Sequence, residues 1–125
     1  MARTGKTPGP DHPITVQPTG ARVVVRAGGR VIADTTAALT LQEADYPAVQ
    51  YIPLADVAPE ALRRTDSHTY CPYKGEASYY SLVGDGTEIA DAVWVYEEPY
   101  DAVGTIAGHV AFYPQHVDIA VEAAA

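Results

Sequence analysis

The chain has 125 residues, of which 47% are hydrophobic and 19% are charged, so its apolar content suffices for the core of one domain. Its net charge of −8 argues against a nucleic-acid partner, because the neutralisation of phosphates needs a basic face. No apolar run approaches the roughly 18 residues of a membrane span. Residues 1–13 lack the apolar stretch of a secretion signal, and Cys71 is the only cysteine, so no internal disulfide can form. We therefore expect a cytoplasmic protein without a membrane partner.

The first half of the chain is predicted to be an N-terminal arm followed by short strands. Residues 1–13 contain three prolines and no hydrophobic periodicity, which predicts a flexible arm ahead of a single domain over residues 14–125. β-Branched and alternating residues predict strands on both sides of a turn at Gly28-Gly29, and then two more strands. The predicted ranges of these four strands are 22–26, 31–35, 39–43 and 47–54.

The second half is predicted to add one or two short helices and the remaining strands. A helix of two or three turns is indicated over residues 56–64, because Pro59 suits its first turn and Arg63-Arg64 suit its negative end. A polar loop is expected next, followed by strands over 77–83 and 89–96 around a turn at Gly84-Asp85-Gly86, a short helix within 101–109, and closing strands over 110–113 and 117–121. About eight short strands without long helices predict a mainly β fold.

The segment Asp66 to Tyr79, DSHTYCPYKGEASY, resembles the signature of the domain of unknown function 427 (DUF427) family, a group of small bacterial domains. Further matches in the family's order extend the resemblance over nearly the whole chain beyond the first nine residues, and they are Pro10 to Ile14, Glu43-x-x-Tyr46-Pro47, Tyr51-Ile52-Pro53, Trp94-x-Tyr96 and Ile106 to Phe112. The resemblance implies a β-tent, in which two small antiparallel sheets lean together over a cavity. It does not supply a reaction.

The family is filed under a nucleotidyltransferase-like label, which the residues of this chain do not support. That chemistry needs two carboxylates that hold magnesium and a loop that cradles phosphates. The turns at Gly28-Gly29 and Gly84-x-Gly86 are predicted to join strands without a following helix, so neither fits a phosphate-binding loop. Asp85, Glu88 and Asp91 are expected to be solvated acids at strand edges.

Three residues of the signature with reactive side chains, His68, Cys71 and Lys74, are spaced three apart. In an extended chain Cys71 faces away from the other two, whereas in a bent loop all three converge, and Pro72 excludes only a regular helix. Convergence would favour the thiolate of Cys71 and make it a nucleophile. The alternative is a buried, reduced Cys71 that behaves as a small hydrophobic side chain, and we expect this inert cysteine.

Lys74 is one of two lysines in the chain, and it lies within a segment rich in tyrosine. It could pair with Glu76 or Glu43, bind an anionic ligand, or form an imine with a carbonyl compound. The aromatic residues are nine Tyr, one Trp and one Phe, and this excess of hydroxyl groups favours a wet pocket over a dry core. Alternation along 89–96 places Ala92, Trp94 and Tyr96 on one face. The predicted ligand-binding residues are Glu43, Tyr51, Tyr70, Tyr73, Lys74, Tyr79, Trp94 and Tyr96.

No metal or cofactor is expected, because His68-x-x-Cys71 is only half of a zinc site and no second ligand pair has metal spacing. His12, at the end of the arm, either folds back over the pocket or is exposed. Two functional hypotheses remain. The first is a module that binds a small polar or anionic metabolite around Lys74 and Glu43. The second is a metal-independent enzyme with a catalytic residue among Glu43, His68, Cys71 and Lys74.

Overall fold

The structure is a computed structural model that describes residues 5–84 and 86–122. Residues 1–4 of the predicted arm, Asp85 of the predicted turn and residues 123–125 lie outside the described residues. The described residues contain ten strands: β1 (Ile14–Pro18), β2 (Arg22–Ala27), β3 (Arg30–Thr35), β4 (Leu39–Glu43), β5 (Val49–Pro53), β6 (Leu62–Cys71), β7 (Gly75–Gly84), β8 (Thr87–Val95), β9 (His109–Phe112) and β10 (Asp118–Glu122). The other regular elements are three 3₁₀ helices, at Leu54–Asp56, Pro59–Ala61 and Asp101–Ile106.

The described strands form two antiparallel sheets, so the predicted mainly β fold with two antiparallel sheets is confirmed. The larger sheet has seven strands in the order β1-β4-β5-β9-β8-β7-β6, and the smaller has three in the order β10-β2-β3. The β2–β3 hairpin turns at Gly28 and Gly29, which have φ angles of 58° and 81°. These left-handed conformations explain why the tight connection uses two glycines.

A hydrophobic core fills the space between the two sheets. Val23 and Val25 of β2 contribute to it from the smaller sheet, and Val93 and Val95 of β8 contribute from the larger one. All four side chains are at most 2% exposed, and full burial of one such side chain stabilises the fold by about 1.5 kcal/mol or more. This layer attaches the smaller sheet to one face of the larger sheet.

A second cluster, rich in tyrosine, lies on the opposite face of the larger sheet. Tyr51 belongs to it, whereas its neighbour Ile52 belongs to the core between the sheets. Trp94 is likewise separated from Val93 and Val95, because successive side chains of a strand point to opposite faces. The 3₁₀ helix Asp101–Ile106, which is the short helix expected within 101–109, contributes Val103 and Ile106 to this cluster.

The predicted helix over residues 56–64 is wrong. The chain makes two separate 3₁₀ turns there, and Arg63 and Arg64 already belong to β6. A helix of so few residues gains little against its nucleation cost, whereas the strand forms a ladder with β7. The two arginines then form exposed ion pairs with Glu88 and Glu97 instead of capping a helix.

The predicted polar loop after residue 64 is also wrong, because the signature segment is a β-hairpin. The chain stays extended through Cys71, turns over residues 72–74 and returns as β7 from Gly75. β6 is an edge strand of the larger sheet, so its polar side chains can point into solvent without loss of pairing. Polarity therefore suggested a loop where the backbone forms a strand.

Two further details of the larger sheet differ from the sequence prediction. β1 was not predicted, because this edge strand ends in a proline and buries none of its residues fully. In β8, Asp91 has a φ of 53°, and the pairing with β7 shifts register nearby. The irregularity moves Ala92 into the core between the sheets, away from the face of Trp94 and Tyr96.

Within the described residues no helix is both long and apolar enough to cross a membrane.

Candidate functional site

Glu43 is positioned by a tight turn at the end of β4. Ala44 follows it with a φ of 47°, and the Tyr46 N–H donates to the Glu43 carbonyl at 2.9 Å. The Gln42 side-chain amide braces the same turn by donating to the carbonyls of Ala44 and Tyr46, at 3.2 and 2.5 Å. These hydrogen bonds fix the backbone of Glu43 and of the turn that follows it.

Lys74 is the last residue of the turn between β6 and β7. Its N–H donates to the Cys71 carbonyl at 3.2 Å, and its own carbonyl accepts from the Tyr100 N–H at 3.0 Å. Gly75 follows with a φ of +110°, and a Cβ at this position would lie 3.5 Å from the Glu98 carbonyl oxygen. This backbone conformation favours glycine, and it sets the direction in which Lys74 enters the fold.

Glu43 and Lys74 meet in a buried ion pair. The Lys74 ammonium donates to Glu43 Oε1, and His12 Nε2 donates to Glu43 Oε2 at 2.7 Å. The side chains of Lys74 and Glu43 are 11% and 14% exposed. Burial alone would raise the pKa of Glu43, but the hydrogen bonds from Lys74 and His12 outweigh it and hold that pKa below its usual value. The carboxylate is therefore firmly ionised at neutral pH.

Residues 6–13 of the predicted arm lie against the two turns that carry this pair. The His12 ring stacks on Tyr73 with 4.0 Å between centroids and 9° between planes. The Lys6 N–H donates to the Pro72 carbonyl at 2.7 Å, and the Pro13 carbonyl accepts from the Ala44 N–H at 2.8 Å. His12 therefore folds back onto the site and contacts Glu43. The sequence alone had left open whether His12 would fold back or be exposed.

The ion pair forms one wall of a pocket with a volume of about 170 Å³. The other walls are mostly aromatic, and Tyr46 at the rim is 59% exposed. The remaining lining residues are Leu41, Pro47, Val49, Tyr51, Tyr79, Trp94, Tyr96 and Tyr113. An apolar cavity of similar size holds a molecule as large as benzene, so the pocket suits a ligand with one ring.

The aromatic walls are held by contacts between the rings. Trp94 Nε1–H donates to the Tyr51 hydroxyl at 3.1 Å, with the two rings edge to face. Tyr113 packs on the other side of Trp94 at 4.5 Å between centroids. Burial raises the pKa of Tyr51 and of Tyr113 to about 12 and raises that of Tyr96 further. All three phenols therefore stay neutral at physiological pH.

Several hydrogen-bond donors at the pocket are not used by the described residues. An ammonium has three N–H donors, and that of Lys74 makes one hydrogen bond, to Glu43. The Tyr96 hydroxyl, in a residue that is 6% exposed, makes none with a described residue. The Lys74 ammonium lies 6.0 Å from the centre of the Tyr96 ring. The polar end of the pocket is thus rich in donors.

The structure brings six of the predicted site residues to this pocket and places the other four elsewhere. The six are Glu43, Tyr51, Lys74, Tyr79, Trp94 and Tyr96. Cys71 packs at the margin of the tyrosine cluster without lining the pocket, and Tyr73 contacts the outer side of His12. The Tyr70 hydroxyl bonds that of Tyr100 at 2.7 Å. His68 lies half-exposed beside Glu76. Tyr46 and Tyr113 line the pocket although they were not among the predicted ligand-binding residues.

His68 is directed away from the pocket by the geometry of β6. His68 is the cross-strand partner of Ser78, and the two side chains approach to 3.4 Å on the face of the larger sheet opposite to that of Tyr79, which lines the pocket. Among the described residues no group of three or more His, Cys, Asp or Glu side chains could hold a metal ion. Folding without metal stays a prediction that needs its own measurement.

The sequence model of one protein family, described as a domain of unknown function (DUF427), matches residues 15–123. The chain belongs to the DUF427 family. No curated protein matches it. The short name of the family model refers to nucleotidyltransfer, whereas the pocket of this DUF427 domain is lined by a single carboxylate among the described residues, Glu43. A magnesium site of that kind needs two carboxylates. The described lining of this pocket has one, and that carboxylate is already paired with Lys74 and His12.

Proposed function

We propose that this DUF427 domain binds a small polar or anionic molecule in the tyrosine-lined pocket, next to Lys74 and Glu43. The observation that carries the proposal is the ammonium of Lys74, a residue that is 8% exposed, because this ammonium uses one of its three donors. Unused donors on a buried cation are costly unless a ligand or ordered water accepts from them. Aromatic walls with a few convergent polar groups are typical of small-molecule sites.

Trp94 provides a direct readout of the pocket. It is the only tryptophan of the chain, and it lines the pocket, so its indole N–H gives a single resonance in an amide correlation spectrum. We expect this resonance to shift during titration with small carboxylates or amides that carry one ring. Native mass spectrometry of protein purified without added ligand offers a second test, and we expect it to detect a co-purified small molecule.

A matched pair of variants separates binding at Lys74 from general effects of charge. Lys74→Met removes the buried ammonium and keeps the length of the side chain, whereas Arg63→Met removes an exposed cation that pairs with Glu88 on the edge of the sheet. We expect Lys74→Met to abolish the shift of the Trp94 resonance and Arg63→Met to preserve it. The proposed function is contradicted if the Trp94 resonance responds to none of this panel of small carboxylates and amides and no molecule co-purifies with the protein.

The alternative of a metal-independent enzyme has less support. Cys71 does not line the pocket, and the lowered pKa of Glu43 makes it a weak general base at neutral pH. Chemical change of a bound ligand during incubation with the protein would favour the enzyme. We propose a cytoplasmic setting as well, since a chain with a single cysteine and no internal disulfide suits a reducing compartment.

A further inference from the structure

We propose that the Glu43–Lys74 pair selects a neutral ligand, namely a planar amide with one ring whose carbonyl accepts from Lys74 and whose N–H donates to Glu43. The inference rests on the proposed function and narrows its ligand class from polar or anionic molecules to neutral amides. Glu43 is then the residue that determines specificity, because its charge cancels that of Lys74.

The first step of the argument is the charge of the pocket. Among the described residues its lining contains one cation, Lys74, and one anion, Glu43, so their formal charges sum to zero. A carboxylate ligand would add an uncompensated negative charge next to the buried Glu43 carboxylate, and burial of an unpaired charge is costly. The net charge of the whole chain, −8, opposes an anion further. A neutral ligand avoids both costs.

The second step is the pattern of donors and acceptors. Lys74 has two N–H donors that no described residue accepts, and the Tyr96 hydroxyl also lacks a described partner. Each Glu43 oxygen accepts one hydrogen bond and has a further lone pair. A strong donor and a strong acceptor therefore stand side by side at the polar end. An amide presents the complementary pair, because its carbonyl oxygen and its N–H are held in one plane.

The third step is the shape of the rest of the pocket. The volume of about 170 Å³ admits one ring, and Tyr51, Trp94 and Tyr113 offer ring faces and edges at which an aromatic ligand can pack. A long or branched molecule would have to leave the pocket at the exposed rim near Tyr46. The geometry thus favours an amide attached to, or contained in, a single flat ring.

Benzamide and benzoate test the proposal with the unmodified protein, because they have nearly the same shape and differ in charge. Their dissociation constants can be obtained from the Trp94 indole resonance in one buffer at the same pH. We expect benzamide to bind at least about tenfold more tightly than benzoate. Methyl benzoate, which has the carbonyl but no N–H, should bind more weakly than benzamide.

Glu43→Gln provides a sharper test because it should reverse the selectivity. The glutamine keeps an oxygen acceptor near Lys74 but leaves the pocket with one positive charge, so benzoate should now bind more tightly than benzamide. Glu88→Gln is the matched control, since Glu88 is also paired with a basic residue, Arg63, but its side chain is exposed and does not line the pocket. We expect it to keep the preference of the natural protein for benzamide.

The possible outcomes separate this inference from the proposed function. If benzoate binds the natural protein as tightly as benzamide or more tightly, the pocket binds ligands but the inference is wrong. If neither probe shifts the Trp94 resonance at low-millimolar concentration while another molecule of the panel does, the inference is wrong and the proposed function stands. The comparison in the natural protein decides the matter even if Glu43→Gln fails to fold.

Discussion

The carboxylate of Glu43, at the end of β4, accepts a hydrogen bond from the ammonium of Lys74, which lies 31 residues later in the turn between β6 and β7. The two residues come from opposite parts of the seven-stranded sheet, in which β4 is the second strand and the β6–β7 hairpin forms the far edge. The sheet must therefore curve to bring them together. Their contact forms one wall of the tyrosine-lined pocket.

Removal of Lys74 should destabilise the protein, because it leaves the buried Glu43 carboxylate with His12 alone. For Lys74→Met we expect a loss of about 3 kcal/mol in the free energy of unfolding, the lower end of the range for a broken buried ion pair. Denaturant unfolding measures the loss. The double variant Glu43→Gln with Lys74→Met removes both charges and should recover part of it. A double variant that loses the sum of the two single losses would show that the charges do not interact.

The stability of the Glu43–Lys74 pair should depend on acid. The pKa of Glu43 in the folded protein lies below its ordinary value of 4.5, so the pair contributes fully above that value and loses its contribution as the pH falls through the lowered pKa. The difference in unfolding free energy between the natural protein and Glu43→Gln should therefore be largest near neutral pH. It should shrink towards about pH 3. Glu88→Gln should show a smaller difference at neutral pH. A difference for Glu43→Gln that grows in acid would contradict the assigned direction of the shift.

Gly75 should be intolerant of a side chain. Its φ of +110° is a conformation that other residues rarely adopt, so Gly75→Ala should lower the free energy of unfolding by about 1 to 3 kcal/mol. The shift in backbone should also displace Lys74 and change the indole resonance of Trp94. Gly104→Ala is the control, because Gly104 has no such φ and a Cβ there meets nothing within 4 Å. Equal stability of the two alanine variants would contradict the inference that the backbone at Gly75 requires glycine.

Cys71 should be unreactive in the folded protein. Its side chain packs at the margin of the tyrosine cluster, the Lys74 ammonium is engaged by Glu43, and His68 lies beside Ser78 on the opposite face of the sheet. Neither basic residue is therefore placed to activate the thiol. We expect iodoacetamide to modify native protein more slowly than unfolded protein between about pH 6 and pH 9. Faster modification of the native protein near neutral pH would indicate that Cys71 is an activated nucleophile.

The fold is expected to be independent of metal. The described residues hold no group of side chains suited to a metal ion, and the chain has a single cysteine. A chelator should therefore leave the melting temperature unchanged, and metal analysis should find zinc well below one equivalent. A large drop in melting temperature on chelation would mean that His68 and Cys71 have a role that their positions do not suggest.

The sequence by itself determined the class of fold and several of its strands. Gly28-Gly29 between two β-branched segments defined the β2–β3 hairpin, because a tight turn with positive φ angles favours glycine. Alternation along residues 93–96 separated Trp94 and Tyr96 from Val93 and Val95. These features depend on local conformation and on a period of two residues, and both can be read from neighbouring positions.

Only the tertiary structure decided which partner Lys74 takes and which signature residues face the pocket. The sequence left both Glu43 and Glu76 open as partners of Lys74, and the curvature of the larger sheet brought the more distant one, Glu43, to it. The pairing of His68 with Ser78 put His68 on the face away from the pocket, and the return of the chain ahead of β1 put His12 against Glu43. Such choices depend on contacts between segments far apart in the chain, where burial and ladder pairing override local preference.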